Sequence, residues 1–168
     1  MRRRFSSINT SQDIGLTKNY FTIEALDNGL EVVLSNNACE YCVDGGIWSI
    51  LPANTYTISI DKGHQLSFRA KAIPLPNVGI GTFTISKKCN LKGNIMSLIF
   101  GGDFVDKTDL MGMGHIFFRL FFKCVTIVDA SELILPGTTL TDRCYFEMFY
   151  GCTRLTASPK LPATILAS

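Results

Sequence analysis

The C-terminal third of this chain repeats itself: Phe118-Arg-Leu-Phe-Phe-Lys-Cys124 is echoed by Phe146-Glu-Met-Phe-Tyr-Gly-Cys152, and Leu135-Pro-Gly-Thr-Thr-Leu140 by Leu161-Pro-Ala-Thr-Ile-Leu166. The paired cysteines stand 28 residues apart and the Leu-Pro pairs 26, so the copies differ by a two-residue loop. Periods in this range belong to chains that stack supersecondary units. One unit cannot bury its apolar face alone, so neighbours share a core and the array presents a continuous surface. Binding is therefore expected before catalysis.

Within the first copy Ile116, Leu120, Phe121 and Cys124 fall at i, i+4, i+5 and i+8, and Cys144, Met148, Phe149 and Cys152 do the same in the second. That spacing predicts the apolar face of a short helix in each copy. Thr141-Asp142 would cap the second helix and Gly151 would end it. A short extended piece follows each, Thr126 to Val128 and Thr153 to Thr156. Then comes the Leu-Pro turn, whose proline forbids the helix to continue.

Upstream the texture is that of strands. Tyr20 to Leu26, Leu30 to Ser35, Glu40 to Val43, Ile47 to Leu51, Thr55 to Ile60, Gln65 to Ala70 and Gly81 to Ser86 are short runs rich in aromatic and β-branched residues. Turn chemistry separates them at Asp27-Asn-Gly29, Asp44-Gly-Gly46 and Asp61-Lys-Gly63. About seven strands at a spacing of roughly 8–12 residues predict an antiparallel β-sandwich, Ig-like or jelly-roll-like. Pro74 and Pro76 mark an edge or loop. The apolar run Asn94 to Phe100, ended by Gly101-Gly102, reads as a cap joining sandwich to repeats. The expected fold class is mainly β with short helices. Its parts are a flexible polar arm over residues 1–18, a β-sandwich over 19–88, and a cap with a short leucine-rich-repeat-like solenoid over 89–168.

With 168 residues, 46% of them hydrophobic, the chain fills a core and is not disordered for most of its length. Its 16 basic and 14 acidic residues leave a net charge of +2, far from the basic stripe that a phosphate backbone attracts. No nucleic-acid partner is expected. After Arg2-Arg-Arg4 the polar residues Asn9, Ser11, Gln12 and Asp13 stand where a secretory signal requires an apolar run, so export by that route is not expected. The most apolar window, Ile116 to Val128, is interrupted by Arg119 and Lys123, and no membrane insertion is expected. Cys39, Cys42, Cys89, Cys124, Cys144 and Cys152 are expected as free buried thiols, because Cys124 and Cys152 recur at equivalent positions like residues of an inner face.

Candidate chemistry is thin, and neither an enzyme nor a cofactor or metal is expected. Cys39-Glu-Tyr-Cys42 has the spacing of a zinc half-site or redox motif, but no second Cys or His pair completes it and it lies among strands. Residues three apart on a strand also face opposite sides. Asp44-Gly-Gly-Ile-Trp48 reads as a hairpin turn beside a half-buried aromatic. Gly101-Gly-Asp-Phe104 is a loop after an apolar run, and Gly79-Ile-Gly81 lacks the third glycine and the helix of a dinucleotide fingerprint. His64 and His115 lie far apart in the chain, with nothing to mark either as a base. Tyr20, Phe21, Tyr41, Trp48, Tyr56 and Phe68 could include a sugar-stacking platform, but aromatics more often supply core area.

The second repeat, Leu140-Thr-Asp-Arg-Cys-Tyr-Phe-Glu-Met-Phe-Tyr-Gly-Cys-Thr-Arg-Leu155 followed by Pro159-Lys-Leu-Pro162, resembles the BspA-type leucine-rich repeats of gut Bacteroides and their phages. The segments Asn19 to Leu26, Glu40 to Trp48, Leu66 to Arg69, Gly81 to Ser86 and Gly93 to Leu98 are similar to the small sandwich that precedes those repeats. The resemblance covers roughly residues 19–168 and implies adhesion or display. Because no secretory signal is read, it favours a phage virion component (fibre, tail or head decoration) that mediates assembly or host-surface attachment. Such a protein assembles in the host cytoplasm and resides on the particle. The alternative is a bacterial cell-surface adhesin, and a third reading is an accessory module of a carbohydrate-active enzyme. Expected partners are other virion proteins or copies of itself, as a homo-oligomer, with a host-surface glycan or protein as receptor. Arg2, Arg3 and Arg4 would anchor to the virion, and Leu161 and Leu166 would form an interface at the open end of the repeats.

Overall fold

The computed structural model describes residues 18–35, 39–52, 54–55, 59–71, 80–162 and 165–166. The upstream alternation becomes β1 (Phe21–Ala25), β2 (Val32–Leu34), β3 (Cys39–Val43), β4 (Ser49–Ile50), β5 (Gln65–Ala70) and β6 (Phe83–Ile85). It continues through β7 (Cys89–Asn94), one helical turn α1 (Ser97–Phe100), β8 (Ile127–Ile134), β9 (Thr139–Leu140) and β10 (Ile165–Leu166). Strands β4-β3-β5-β1-β7-β8 form a six-stranded sheet, while β2 pairs with β6 and β9 with β10. The molecule is mainly β with almost no helix.

Period-2 burial explains how the sheet lies. Phe21, Ile23 and Ala25 of β1, Leu66, Phe68 and Ala70 of β5, and Cys89 and Leu91 of β7 all point into the core. The β2–β6 ladder lies across this face, with the Phe83 ring 5.6 Å from Phe21 and 5.2 Å from Phe68. On the opposite face, Lys92 reaches Glu24 at 3.0 Å and Arg69 reaches Glu40 at 2.8 Å. Burial tends to raise the Glu24 carboxyl, but hydrogen bonds from Asn90 and Lys92 and the Lys92 charge hold it below its ordinary value.

The sheet is mixed rather than wholly antiparallel. β1 is antiparallel to β5 and β7, but β7 runs parallel to β8. A parallel neighbour requires a long crossover, here residues 95–126, which a hairpin-by-hairpin reading cannot produce. The expected boundary between residues 88 and 89 falls just before β7, and both the sheet and the hydrophobic core run across it. The Asn94 to Phe100 run turns inward at α1. There the Ser97 hydroxyl donates to the Phe68 carbonyl at 2.9 Å and accepts the Phe21 N–H at 3.0 Å, tying the ends of β1 and β5 together.

The two helices expected at 116–124 and 144–152 are absent, and both segments are chains of tight turns. The N–H groups of Ile116, Phe118, Leu120, Phe122 and Cys124 each donate to the carbonyl three residues back. Those of Cys144, Phe146, Met148, Tyr150 and Cys152 do the same. Every fourth residue, His115, Arg119, Lys123 and then Arg143, Glu147, Gly151, has positive φ. Apolar residues at i, i+4 and i+8 satisfy a four-residue turn period as well as a 3.6-residue helix, so the spacing cannot separate the two. Gly151, expected to stop a helix, is instead the third left-handed residue of its series. Thr141, expected as a cap, donates its hydroxyl to the Leu110 carbonyl at 3.2 Å.

Candidate interaction surface

The odd-numbered amides of the first turn segment go to the second. His115, Phe117, Arg119, Phe121 and Lys123 N–H donate to the carbonyls of Asp142, Cys144, Phe146, Met148 and Tyr150, each bond joining residue i to residue i+27 at 2.7–3.1 Å. Even amides close turns and odd amides climb to the next layer. Left-handed φ costs about 1–2 kcal/mol for a residue with a Cβ. Of the five such residues, His115, Arg119 and Lys123 themselves donate interlayer hydrogen bonds, each worth about 0.5–1.5 kcal/mol net.

Side chains stack in the same register. Phe117 lies on Tyr145, Phe118 on Phe146, Phe121 on Phe149 and Phe122 on Tyr150, with ring centroids 5.3–5.9 Å apart and planes within 21°. Arg119 sits over both Phe118 and Phe122 and donates from Nε to Glu147 Oε2 at 2.6 Å. Lys123 folds its stem where a Cβ on residue 151 would stand, 3.0 Å from its Cγ, which is why the second copy carries glycine there. Beside this wall the strands stack as well: Asp129 bridges Ala157, Ile134 bridges Lys160, and β10 runs parallel on β9.

The far side of the second segment is different. Among the described residues, no main-chain carbonyl accepts from the N–H groups of Tyr145, Glu147, Phe149 and Gly151, the counterparts of Phe117, Arg119, Phe121 and Lys123. Next to this row lies a shallow groove of about 420 Å³, lined by Leu135, Met148, Phe149, Pro159 and Leu161 among others. Phe146, Tyr150 and Leu161 are 49%, 59% and 53% exposed. The Tyr145 hydroxyl is buried beside Gly137, and burial pushes its pKa above the ordinary phenol range.

Of the residues expected to matter, Leu161 lines the groove, while Leu166 is placed in β10 by its backbone pairing with Leu140. Arg2, Arg3 and Arg4 lie outside the described residues. The aromatic row Tyr145, Phe146, Phe149 and Tyr150 was missed, although the 28-residue echo could have found it, because each has an aromatic counterpart in the first copy. Of the aromatics considered for a sugar platform, Tyr20, Phe21 and Phe68 are fully buried and Tyr41 nearly so, Trp48 is half-buried, and Tyr56 lies outside the described residues. Trp48 carries Arg69 over its ring at 4.2 Å. Cys39 and Cys42 are buried in β3, and desolvation pushes the Cys39 thiol up to about 12. All six cysteines are free and buried. His64 pairs with Asp44 at 2.6 Å on an exposed turn, and His115 lies 3.8 Å from Asp142. Among the described residues no helix is long and apolar enough to cross a membrane.

No family model, curated protein or solved structure matches this chain.

Proposed function

We propose that this chain is a non-enzymatic structural and binding protein in which a sandwich-like β region is continued by a short leucine-rich-repeat-like solenoid, and that it serves as a phage virion component. The observation that carries the reading is the end of the turn stack, where main-chain donors, aromatic faces and an apolar groove occupy one surface. Main-chain donors in a row beside exposed aromatic and apolar side chains suit a polypeptide segment better than a small substrate. Six buried, unbridged thiols suit a protein that folds in a reducing cytoplasm, where virions assemble. The same thiols favour this over a bacterial surface adhesin, which would use the same surface outside the cell.

In this reading Arg2, Arg3 and Arg4 anchor the chain to the particle and the repeats contact the neighbouring protein or host surface. Quantitative mass spectrometry of purified particles tests it. Stoichiometric incorporation is the expected result, whereas recovery only from the shaved surface of uninfected bacteria would transfer the role to an adhesin. A chain lacking residues 1–18 that still incorporates at the normal level would remove the anchoring role of the three arginines.

A further inference from the structure

The 28-residue echo sets Cys152 one layer over Cys124, at the same offset as Phe117 on Tyr145 and Phe121 on Phe149, whose ring centroids lie 5.5 and 5.3 Å apart. No other cysteine has a thiol at that offset. The residue 28 before Cys144 is Ile116, and Cys39, Cys42 and Cys89 belong to β3 and β7.

Hydrogen bonds bring the two side chains together. The Cys152 thiol donates to the Phe121 carbonyl at 3.1 Å, and the Cys124 N–H donates to the same oxygen at 3.0 Å. The Cys152 sulfur thus reaches back across the layer boundary, where the Cys124 main chain also hydrogen-bonds to it. A disulfide needs Cα atoms about 4.4–6.8 Å apart, and a stack whose rings repeat at 5.3–5.9 Å has that spacing built in. Closing the bond gives up two weak sulfur contacts, Cys152 to Phe121 O and Cys124 to the Thr126 hydroxyl at 3.3 Å. Neither partner is left unsatisfied. Phe121 O keeps the Cys124 N–H, and the Thr126 hydroxyl keeps its bond to Ile85 O at 2.9 Å. Cys124 and Cys152 are also 6% and 8% exposed, whereas neighbouring Cys89 is fully buried.

We infer that Cys124 and Cys152 form a reversible redox staple: free thiols while the chain folds in a reducing compartment, and a disulfide between the two turn segments once a small-molecule disulfide oxidises them. Its use rests on the reading of the chain as a virion protein, which leaves a reducing cytoplasm for an oxidising exterior. With oxidised glutathione, one cysteine thiolate attacks a glutathione sulfur, forming a mixed disulfide and releasing one reduced glutathione. The other cysteine thiolate then displaces the second glutathione. The two protons and two electrons lost by the cysteines end on the two glutathione thiols. Burial holds the Cys152 thiol up at about 11, so exchange is slow at neutral pH and speeds up as pH rises.

The test uses the purified full chain, reduced and then given oxidised glutathione at millimolar concentration. Its intact mass should fall by two hydrogens, and peptide mapping should join Cys124 to Cys152. The Tm should rise by about 5–10 °C and return on adding dithiothreitol. Closure should run about tenfold faster per pH unit, as the thiolate fraction does. Cys124→Ala or Cys152→Ala should abolish both the link and the rise, while Cys144→Ala should keep them.

The inference is overturned by a folded chain that keeps both thiols through overnight exposure, by a bond to Cys89 or Cys144 instead, by a glutathione adduct that persists without closing, or by a closed bond that leaves Tm unchanged or lower. These readouts need no particle. Closure in a chain that is absent from particles would remove the virion reading and leave the staple. A chain present in particles whose pair stays reduced under oxidised glutathione would remove the staple and leave that reading.

Discussion

Gly93 separates the cost of an unusual backbone angle from the cost of a close approach. It sits in β7 at φ +75°, and a Cβ there would lie 2.7 Å from the Tyr20 carbonyl carbon and 3.1 Å from the Asn19 oxygen, with the Tyr20 oxygen closer still. All three atoms are backbone, so no rotamer change relieves the overlap. Gly93→Ala must push the start of β1 away, at the expense of the Asn94 N–H bond to Asn19 O, 2.8 Å long. Left-handed strain contributes about 1–2 kcal/mol, and an amide left buried and unsatisfied about 1–3 kcal/mol. The smaller entropy of the unfolded alanine chain returns about 0.4–1 kcal/mol. The net loss is about 3 kcal/mol, or some 6–12 °C in Tm for a chain of this size. Gly112 is the control, at φ +77° with nothing within 4 Å of its would-be Cβ, so Gly112→Ala should lose only about 1 kcal/mol. Urea denaturation at constant m measures both. Losses within about 0.5 kcal/mol of each other would refute the close-approach argument, since both variants share the angle.

Four further outcomes follow from the packing and electrostatics. Phe121→Ala removes a fully buried ring that contacts Phe21, Phe83 and Phe149, and should lower stability by about 3–5 kcal/mol in the same urea experiment. The Arg119–Glu147 pair is partly exposed, so a double-mutant cycle with Arg119→Ala and Glu147→Ala should give a coupling below about 1 kcal/mol that shrinks in high salt. For Asp44, burial raises the carboxyl but the hydrogen bonds from His64 and Gln65 N–H lower it further; its contribution is present above the ordinary carboxylate pKa and is lost as pH falls through the depressed value. His64 is raised by its hydrogen bond to Asp44 and by that charge, so its contribution is present below the ordinary imidazole pKa and lost as pH rises through the raised value. An NMR titration should accordingly place His64 above its ordinary midpoint, with Asp44→Asn returning it. Cys39, with its thiol at about 12, should resist a disulfide reagent at pH 8 until the chain unfolds; fast labelling of the native protein would contradict its burial.

What the sequence disclosed and what it hid follow from the same physics. Six of the seven strands read from alternating apolar residues and turn glycines appear within a few residues of their expected places, the seventh, 55–60, lying partly outside the described residues, because a side chain in a half-buried strand reports its face directly. The parallel pairing of β7 with β8 was hidden, because the partners are separated by the whole segment from 95 to 126 and nothing local marks the pairing. The turn segments were hidden for another reason. Ile116, Leu120 and Cys124 fit two periods equally, and the residues that decide between them, His115, Arg119 and Lys123, are not the glycines that usually announce a left-handed angle. The discriminating signal was the pairing of neighbours. Apolar residues come in adjacent couples, Ile116-Phe117 and Leu120-Phe121, with outward couples between them. A strict four-residue beat keeps such couples in line over three turns, whereas a helix advances each by about 40°. Once the beat is four, successive segments can lie in register and their free amides can bond upward, as a helix's cannot. The interlayer bonds, the ring stacks and the outward row of amides on the second segment are therefore consequences of one periodicity.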